Sequence, residues 1–304
     1  MTSDINKPDN CQGRELMAQD GYTLIECEKC EFAHITPFPD QKTIADLYKD
    51  KYYEINKPNY CNHADRDSEW LKFVYKLRLN TIKSTLRRDK IRVLDVGSGP
   101  GKFLLACKDN GVDALGLEPS KAAFHFSKSQ DLNVFNTSYL DFNQLKNDRF
   151  DCIHCSEVME HMLDPKEFLS WCKKIVKPDG CIAISIPLEF NDFQIELNKQ
   201  LGKAWWFQPS EHYNYWTKKS FKNLLSKSGY KLLHESSSFP VEVFALMGLD
   251  YISKPKLGSE VHAMRKKFEL LMQSLCKEQF LTELQTLLAK HNIGRTFFTI
   301  SSLK

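Results

Sequence analysis

The stretch "VLDVGSGPGKF", residues 93–103, decides how this chain folds. Apolar and β-branched residues run into Asp95, and glycine then recurs at every second position: Gly97, Gly99 and Gly101. A strand leading through such a turn into the helical pattern "GKFLLACKDNG" is the first unit of a doubly wound α/β fold. In that fold the ligand sits beyond the carboxyl end of the strand. Three glycines in one loop let a ligand approach its backbone closely. The dinucleotide fingerprint requires a small residue where Lys102 stands, and the triphosphate loop requires Ser or Thr where Phe103 stands. Both phosphate readings are weakened. Glu118, at the end of the next strand pattern, can accept hydrogen bonds from both hydroxyls of a ribose. The loop therefore suits an adenosine-like ligand held without a phosphate.

Outward from this unit, strand and helix patterns alternate. "DALGLEPS", "LNVFNTSY", "FDCIHCSEV" and "CIAISIP" read as strands, with "KAAFHFSKSQ" and "PKEFLSWCKKIVKPDG" as helices between them. Upstream, Trp70, Phe73, Val74, Leu77 and Ile82 recur at helical spacing from Ser68 to about Arg87. Downstream, "TKKSFKNLLSKSGYKLLHESS" adds a helix and a strand, and "RTFFTISSL" is the last strand. Such alternation predicts a parallel sheet with helices on both faces. The organisation expected is an N-terminal cap over residues 1–67 and a core over 68–240 that includes a substrate segment, 188–217. A helical insertion over 241–293 and the final strand, 294–304, complete it. The insertion carries "SEVHAMRKKFELLMQSL" and "FLTELQTLLAKHN", two helices suited to packing on the core, capping the site or joining a homodimer.

The bulk properties exclude several classes. A net charge of +3 over 304 residues is too small for nucleic-acid binding by electrostatics alone. The start has no basic-then-apolar signal pattern, and no apolar run is long enough to span a bilayer. Ten cysteines without such a signal imply reduced thiols and a cytoplasmic protein.

"VLDVGSGPGKFLLACKDNGVDALGLEPS" resembles the cofactor segment of class I S-adenosylmethionine-dependent methyltransferases. "RFDCIHCSEVMEHMLDPKEFLSWCKKIVKPDGCIAISIP" resembles their later motifs, so the match runs roughly from Ile91 to Pro187. The resemblance implies a Rossmann-like, seven-stranded doubly wound sheet whose last strand is antiparallel. It also implies S-adenosylmethionine as cofactor and S-adenosylhomocysteine as product. Carried over residue by residue, Gly97, Ser98, Gly99, Gly101 and Phe103 form the loop contacts, and Asp95 lies near the cofactor's amino group. Glu118 with Pro119 takes the ribose, Tyr139 and Leu140 the adenine, and Ser156 and Glu157 lie beneath the methionine.

The flanks carry two further resemblances. "YTLIECEKCEFAHITPFPDQKTIADLYKDKYYE" is similar to the N-terminal region of a methyltransferase subgroup of surface-sugar and secondary-metabolite pathways, where two C-x-x-C pairs often hold a structural zinc. This chain has one pair, Cys27 and Cys30, and a lone Cys11; His34, Cys61 or His63 would have to supply the fourth ligand. A degenerate ribbon that folds without metal is expected, with zinc as the alternative. Glu157, Glu160, His161 and His212 resemble two different sets. In small-RNA 3′-terminal 2′-O-methyltransferases, E-x-x-E-H with a later His binds a divalent metal. In sugar C-methyltransferases, a Glu-His before an aromatic stretch supplies the base.

"GKAWWFQPSEHYNYWT", residues 202–217, follows the fifth strand, where this fold builds its acceptor pocket. Trp205, Trp206, Tyr213 and Tyr215 are expected as its aromatic wall. The expected activity is methyl transfer to an O or N atom of a small molecule such as a sugar or secondary metabolite. His212 is expected as base, with His161 second and Glu211 beside them, because imidazole suits proton removal near neutrality. The alternatives are a sugar C-methyltransferase, a metal-assisted RNA 2′-O-methyltransferase and a non-catalytic S-adenosylmethionine-binding module. The partner expected is a small-molecule acceptor, with no membrane and no nucleic acid.

Overall fold

The computed structural model describes residues 11–40, 66–142 and 149–304. Cys61 and His63 lie outside the described residues. Near the N-terminus β1 (Gly13–Gln19), β2 (Tyr22–Cys27) and β3 (Ala33–Thr36) form an antiparallel meander. Helix α1 (Ser68–Leu86) then leads into β4 (Arg92–Val96), α2 (Lys102–Asp109), β5 (Asp113–Leu117), α3 (Lys121–Ser129) and β6 (Val134–Phe135). The second half continues with β7 (Phe150–Ser156), α4 (Pro165–Ile175), β8 (Val176–Pro187) and α5 (Asp192–Leu201). After β9 (Asn214–Tyr215) come α6 (Lys218–Lys227), β10 (Tyr230–Ser237), α7 (Glu242–Leu246), α8 (Gly258–Ser274), α9 (Glu278–Lys290) and β11 (Thr296–Leu303).

The main sheet has seven strands in the order β10-β11-β8-β7-β4-β5-β6. Pairing among β8, β7, β4, β5 and β6 is parallel, and β11 runs antiparallel to both neighbours. The expected architecture, including the antiparallel last strand, is the one observed. Strand β7 is buried along all but its last residue, because helices cover both faces of a parallel sheet and leave it no polar side. Helix α4 starts where Asp164 accepts the amides of Lys166 and Glu167, with Pro165 preset in the first turn. The helix expected to run on to Gly180 ends instead at Ile175, and Val176–Gly180 opens β8. Pro178 explains this, since it cannot donate within a helix and disfavours helical backbone before it.

Of the two helices predicted in the insertion, α9 covers the sheet, turning Leu281, Leu288 and Ala289 inward beside β10. Helix α8 lies on α1, where Trp70 donates its indole N–H to Glu269. Strand β9 joins the small sheet rather than the large one: Asn214 pairs with His34 and Tyr215 with Ala33. The N-terminal strands are thereby fastened to the segment that follows β8. No helix among the described residues is long and apolar enough to cross a membrane.

Candidate active site

The glycine turn lies at the carboxyl end of β4. Gly97 and Gly101 adopt φ of 70° and 74°, in the left-handed region that side chains disfavour. A Cβ at Gly97 would come within 2.5 Å of Val158 Cγ2, and one at Gly101 within 2.5 Å of Leu132 Cδ1. The turn is fixed from the next strand, as Leu117 O accepts the amides of Gly97 and Ser98. Glu118 is 4 % exposed, and its two carboxylate oxygens accept the amides of Gly99 at 2.7 Å and Ser120 at 2.8 Å. Burial pushes its carboxyl up to about 7; the two amides oppose the rise and Asp95 adds to it. Pro119 O accepts Asn136 Nδ2 at 3.0 Å. Tyr139 stands edge-on to Phe168 and Trp171 at 5.1 and 5.4 Å, which anchors its ring on α4, while Leu140 is exposed.

Asp95 lies deeper than the sequence suggests. Its Oδ1 accepts His154 Nδ1–H at 2.7 Å, and His154 Nε2 accepts Arg78 Nη1–H at 3.1 Å. Arg78 also donates to Ser156 Oγ at 3.0 Å. The arginine fixes the tautomer of His154, whose ring stacks on Phe103 at 3.7 Å. Burial lowers the pKa of His154 against the pull of Asp95, so this imidazole is a neutral strut between carboxylate and guanidinium. Sequence reasoning missed Arg78; its signal is an arginine one helical turn before the buried Ile82, on the inward face of α1.

Beyond β7 the chain turns sharply. Glu157 has φ of 54°, an uncommon conformation for a glutamate and one concentrated at functional sites. Its carboxylate accepts Ser185 Oγ–H at 2.8 Å. A short 3₁₀ turn, Met159–His161, then brings Glu160 and His161 against residues 211–214. His161 Nδ1–H donates to Glu211 O at 2.6 Å, and Tyr213 N to Glu160 O at 2.8 Å. Glu211 thus contributes a main-chain carbonyl to the cluster. The rings of His161 and His212 meet edge to face at 4.9 Å, and His212 Nδ1 is 3.3 Å from Glu189 Oε1. Glu189 was not anticipated from the sequence. Of the four residues that resemble a divalent-metal set, Glu160, His161 and His212 bring ligand atoms within 4.8 Å of one another, and Glu157 falls outside that group.

The aromatic run packs largely inward. Trp206, Tyr213 and Tyr215 are 6, 2 and 0 % exposed and pack with Leu24, Ile35 and Phe207 into the core of the small sheet. Trp205 packs against that cluster and is partly buried. Three of the four rings expected to wall the acceptor pocket are therefore core residues of the small sheet. The physical reason is β9, which turns this segment into a strand needing an apolar face. At the far side of the small sheet, Cys11, Cys27, Cys30 and His34 bring ligand atoms within 4.8 Å of one another.

A parallel sheet with an antiparallel last strand, a left-handed glycine turn and a buried acid on the next strand define a class I S-adenosylmethionine-dependent methyltransferase. The model of the methyltransferase domain matches residues 63–235, more than half of the chain, and the chain belongs to that family. Curated relatives include the ubiquinone biosynthesis O-methyltransferase of Coxiella burnetii (strain Dugway 5J108-111), 29 % identical over 146 residues. That match covers 43 % of this chain and 62 % of the relative. The enzyme of the same name from Acinetobacter baumannii (strain ACICU) is 32 % identical over 101 residues, 31 % of this chain and 43 % of the relative. The chain thus spans less than two thirds of the length of these relatives. Among solved structures, the plantazolicin methyltransferase BpumL in complex with S-adenosylhomocysteine is similar in fold, with a TM-score of 0.52 and 15 % identity. That alignment covers 86 % of this chain and 95 % of the other.

Proposed function

We propose that the protein methylates a hydroxyl oxygen of a small molecule, with His212 taking the proton. The observation that carries this reading is the pair of imidazoles beyond the carboxyl ends of β7 and β8, beside the turn that packs on Gly97. A hydroxyl, unlike a neutral amine, needs a base as it becomes a nucleophile. S-adenosylmethionine, when bound, supplies an electrophilic methyl group on a sulfonium sulfur. Glu118 would hold the ribose from the end of β5, and Arg78 presents a cation toward the methionine end, where it already reaches Ser156. The acceptor hydroxyl would be held facing that methyl group, and its proton would pass to His212 as the oxygen is methylated and S-adenosylhomocysteine is left. The O-methyltransferase names of the curated relatives agree with an oxygen acceptor.

The test uses methyl-tritiated cofactor with catechols, sugar nucleotides and single-stranded RNA, each with and without EDTA. Transfer to a hydroxylated small molecule that EDTA leaves intact is expected, and His212→Asn should reduce it by roughly 10²- to 10⁴-fold. Affinity for S-adenosylhomocysteine should stay unchanged. Transfer confined to RNA and abolished by EDTA would replace this reading with a metal-assisted one.

We also propose that Cys11, Cys27, Cys30 and His34 hold a structural zinc. The Sγ atoms of Cys11 and Cys30 are 3.8 Å apart. A tetrahedral zinc with bonds of about 2.3 Å has an edge of about 3.8 Å. Cys30 N–H donates to Cys27 Sγ at 3.3 Å, and His34 Nδ1–H to Ile35 O at 2.9 Å, which fixes His34 in the tautomer that offers Nε2. This supports the zinc alternative over the metal-free ribbon.

A further inference from the structure

Glu189 is a buried acid outside every motif read from the sequence. It lies two residues past β8 and is 3 % exposed. The corner that carries it is rigid: Leu188 N donates to Arg295 O at 2.9 Å, and Asn191 Nδ2 to Leu188 O at 2.9 Å. Asn191 also caps α5, and Gln194 on that helix donates to the buried Glu242, which pairs with Arg295. The backbone therefore holds the carboxylate where it is. Among the described residues, no hydrogen-bond donor satisfies either of its oxygens, and its ion-pair partner is His212 Nδ1 at 3.3 Å. A carboxylate withdrawn from water, with Glu157 and Tyr215 also close and one imidazole at ion-pair distance, is unfavourable unless that imidazole turns an N–H toward it.

We infer that Glu189 is a positioning residue for His212: it accepts a hydrogen bond from Nδ1–H, fixes the tautomer and leaves Nε2 bare for the acceptor. This rests on the reading of His212 as proton acceptor and deepens it. The two histidines have different anchors. His161 is tied through Nδ1 to the main-chain carbonyl of Glu211 and has Glu160 Oε1 3.7 Å from its Nε2, so both of its nitrogens have neighbours, whereas His212 meets the carboxylate of Glu189 at Nδ1. A base needs one nitrogen held and the other turned to the acceptor, and the carboxylate at Nδ1 gives His212 that arrangement. The other groups facing His212 are the edge of His161, the ring of Tyr215 at 6.2 Å, and the carboxylates of Glu157 and Glu160. A separation of 3.3 Å is long for the finished bond, and such contacts tighten once substrate is bound.

The decisive experiment is long-range ¹H–¹⁵N correlation of histidine-labelled full-length protein with S-adenosylhomocysteine, with His212 assigned by its loss in His212→Asn. The expected spectrum has His212 as the Nδ1–H tautomer. In Glu189→Gln, whose side chain keeps its shape and loses its charge, that tautomer should give way while His161 keeps its own. Turnover of whichever acceptor the tritium assay identifies should fall at least about tenfold in kcat at unchanged KM. Glu189→Asp, which keeps the charge, should recover part of the loss. An Nε2–H tautomer in the unaltered protein overturns the inference without any variant. So does a Glu189→Gln protein with full kcat when His212→Asn is inactive, an outcome that leaves the proton-acceptor reading standing. An active His212→Asn protein would remove that reading itself.

Discussion

Glu118 should couple cofactor binding to pH. In the free protein its carboxyl is pushed up to about 7, chiefly by burial. Ribose hydroxyls held as proposed above would donate to the ionised form, so binding at lower pH would first release a proton. From pH 8 to pH 6 the ionised fraction falls from about nine-tenths to about one-tenth, and affinity should fall nearly tenfold, about 1.4 kcal/mol. Calorimetry with S-adenosylhomocysteine in two buffers of different ionisation enthalpy would measure both effects. Close to one proton should leave per cofactor bound at pH 6, and about a tenth of one at pH 8. The same group affects stability with the sign of a raised carboxyl. Its contribution is full below the ordinary glutamate range and is lost as pH rises through about 7. Glu118→Gln should therefore flatten both profiles and bind more weakly at pH 8 by roughly 1 to 3 kcal/mol. A dissociation constant that is level from pH 6 to pH 8, with no proton released, refutes the reasoning.

Purified protein should contain about one zinc per chain, and removing it with a chelator should lower the melting temperature. Cys30→Ser should lose the metal, and a metal-free preparation melting normally would count against the site. Gly97→Ala should destabilise the fold by roughly 1 to 3 kcal/mol, since it combines a positive φ with a Cβ 2.5 Å from Val158 Cγ2. Adding Val158→Ala should restore part of that loss in denaturant melts, because it removes the clash and leaves the backbone strain. Equal stability of Gly97→Ala and the unaltered protein would show that the turn tolerates a side chain.

The class of fold was legible because its signals are local. Asp95 followed by Gly97, Gly99 and Gly101 encodes a strand and a left-handed turn through dihedral preference alone. The alternation of apolar strands with amphipathic helices encodes a sheet covered on both faces. The boundary at Ile175 was misread for a local reason too: a helical pattern continues past the point where Pro178 forbids it. Glu118 could be placed because its distance from the turn is set by one strand–helix–strand unit.

What the sequence left undecided is which side chains meet. Tyr213 and Tyr215 read equally well as pocket or core until β9 pairs with β3 and turns them inward. Cys11 reaches Cys30 because the meander of β1, β2 and β3 folds back on itself. Arg78 meets His154 across the joint between α1 and β7, and Glu189 meets His212 across the whole of α5. Backbone dihedrals and hydrophobic period depend on near neighbours, so the chain states them residue by residue. The company of a buried carboxylate depends on strand order and on the crossovers that close long loops, and those exist only once the sheet is assembled.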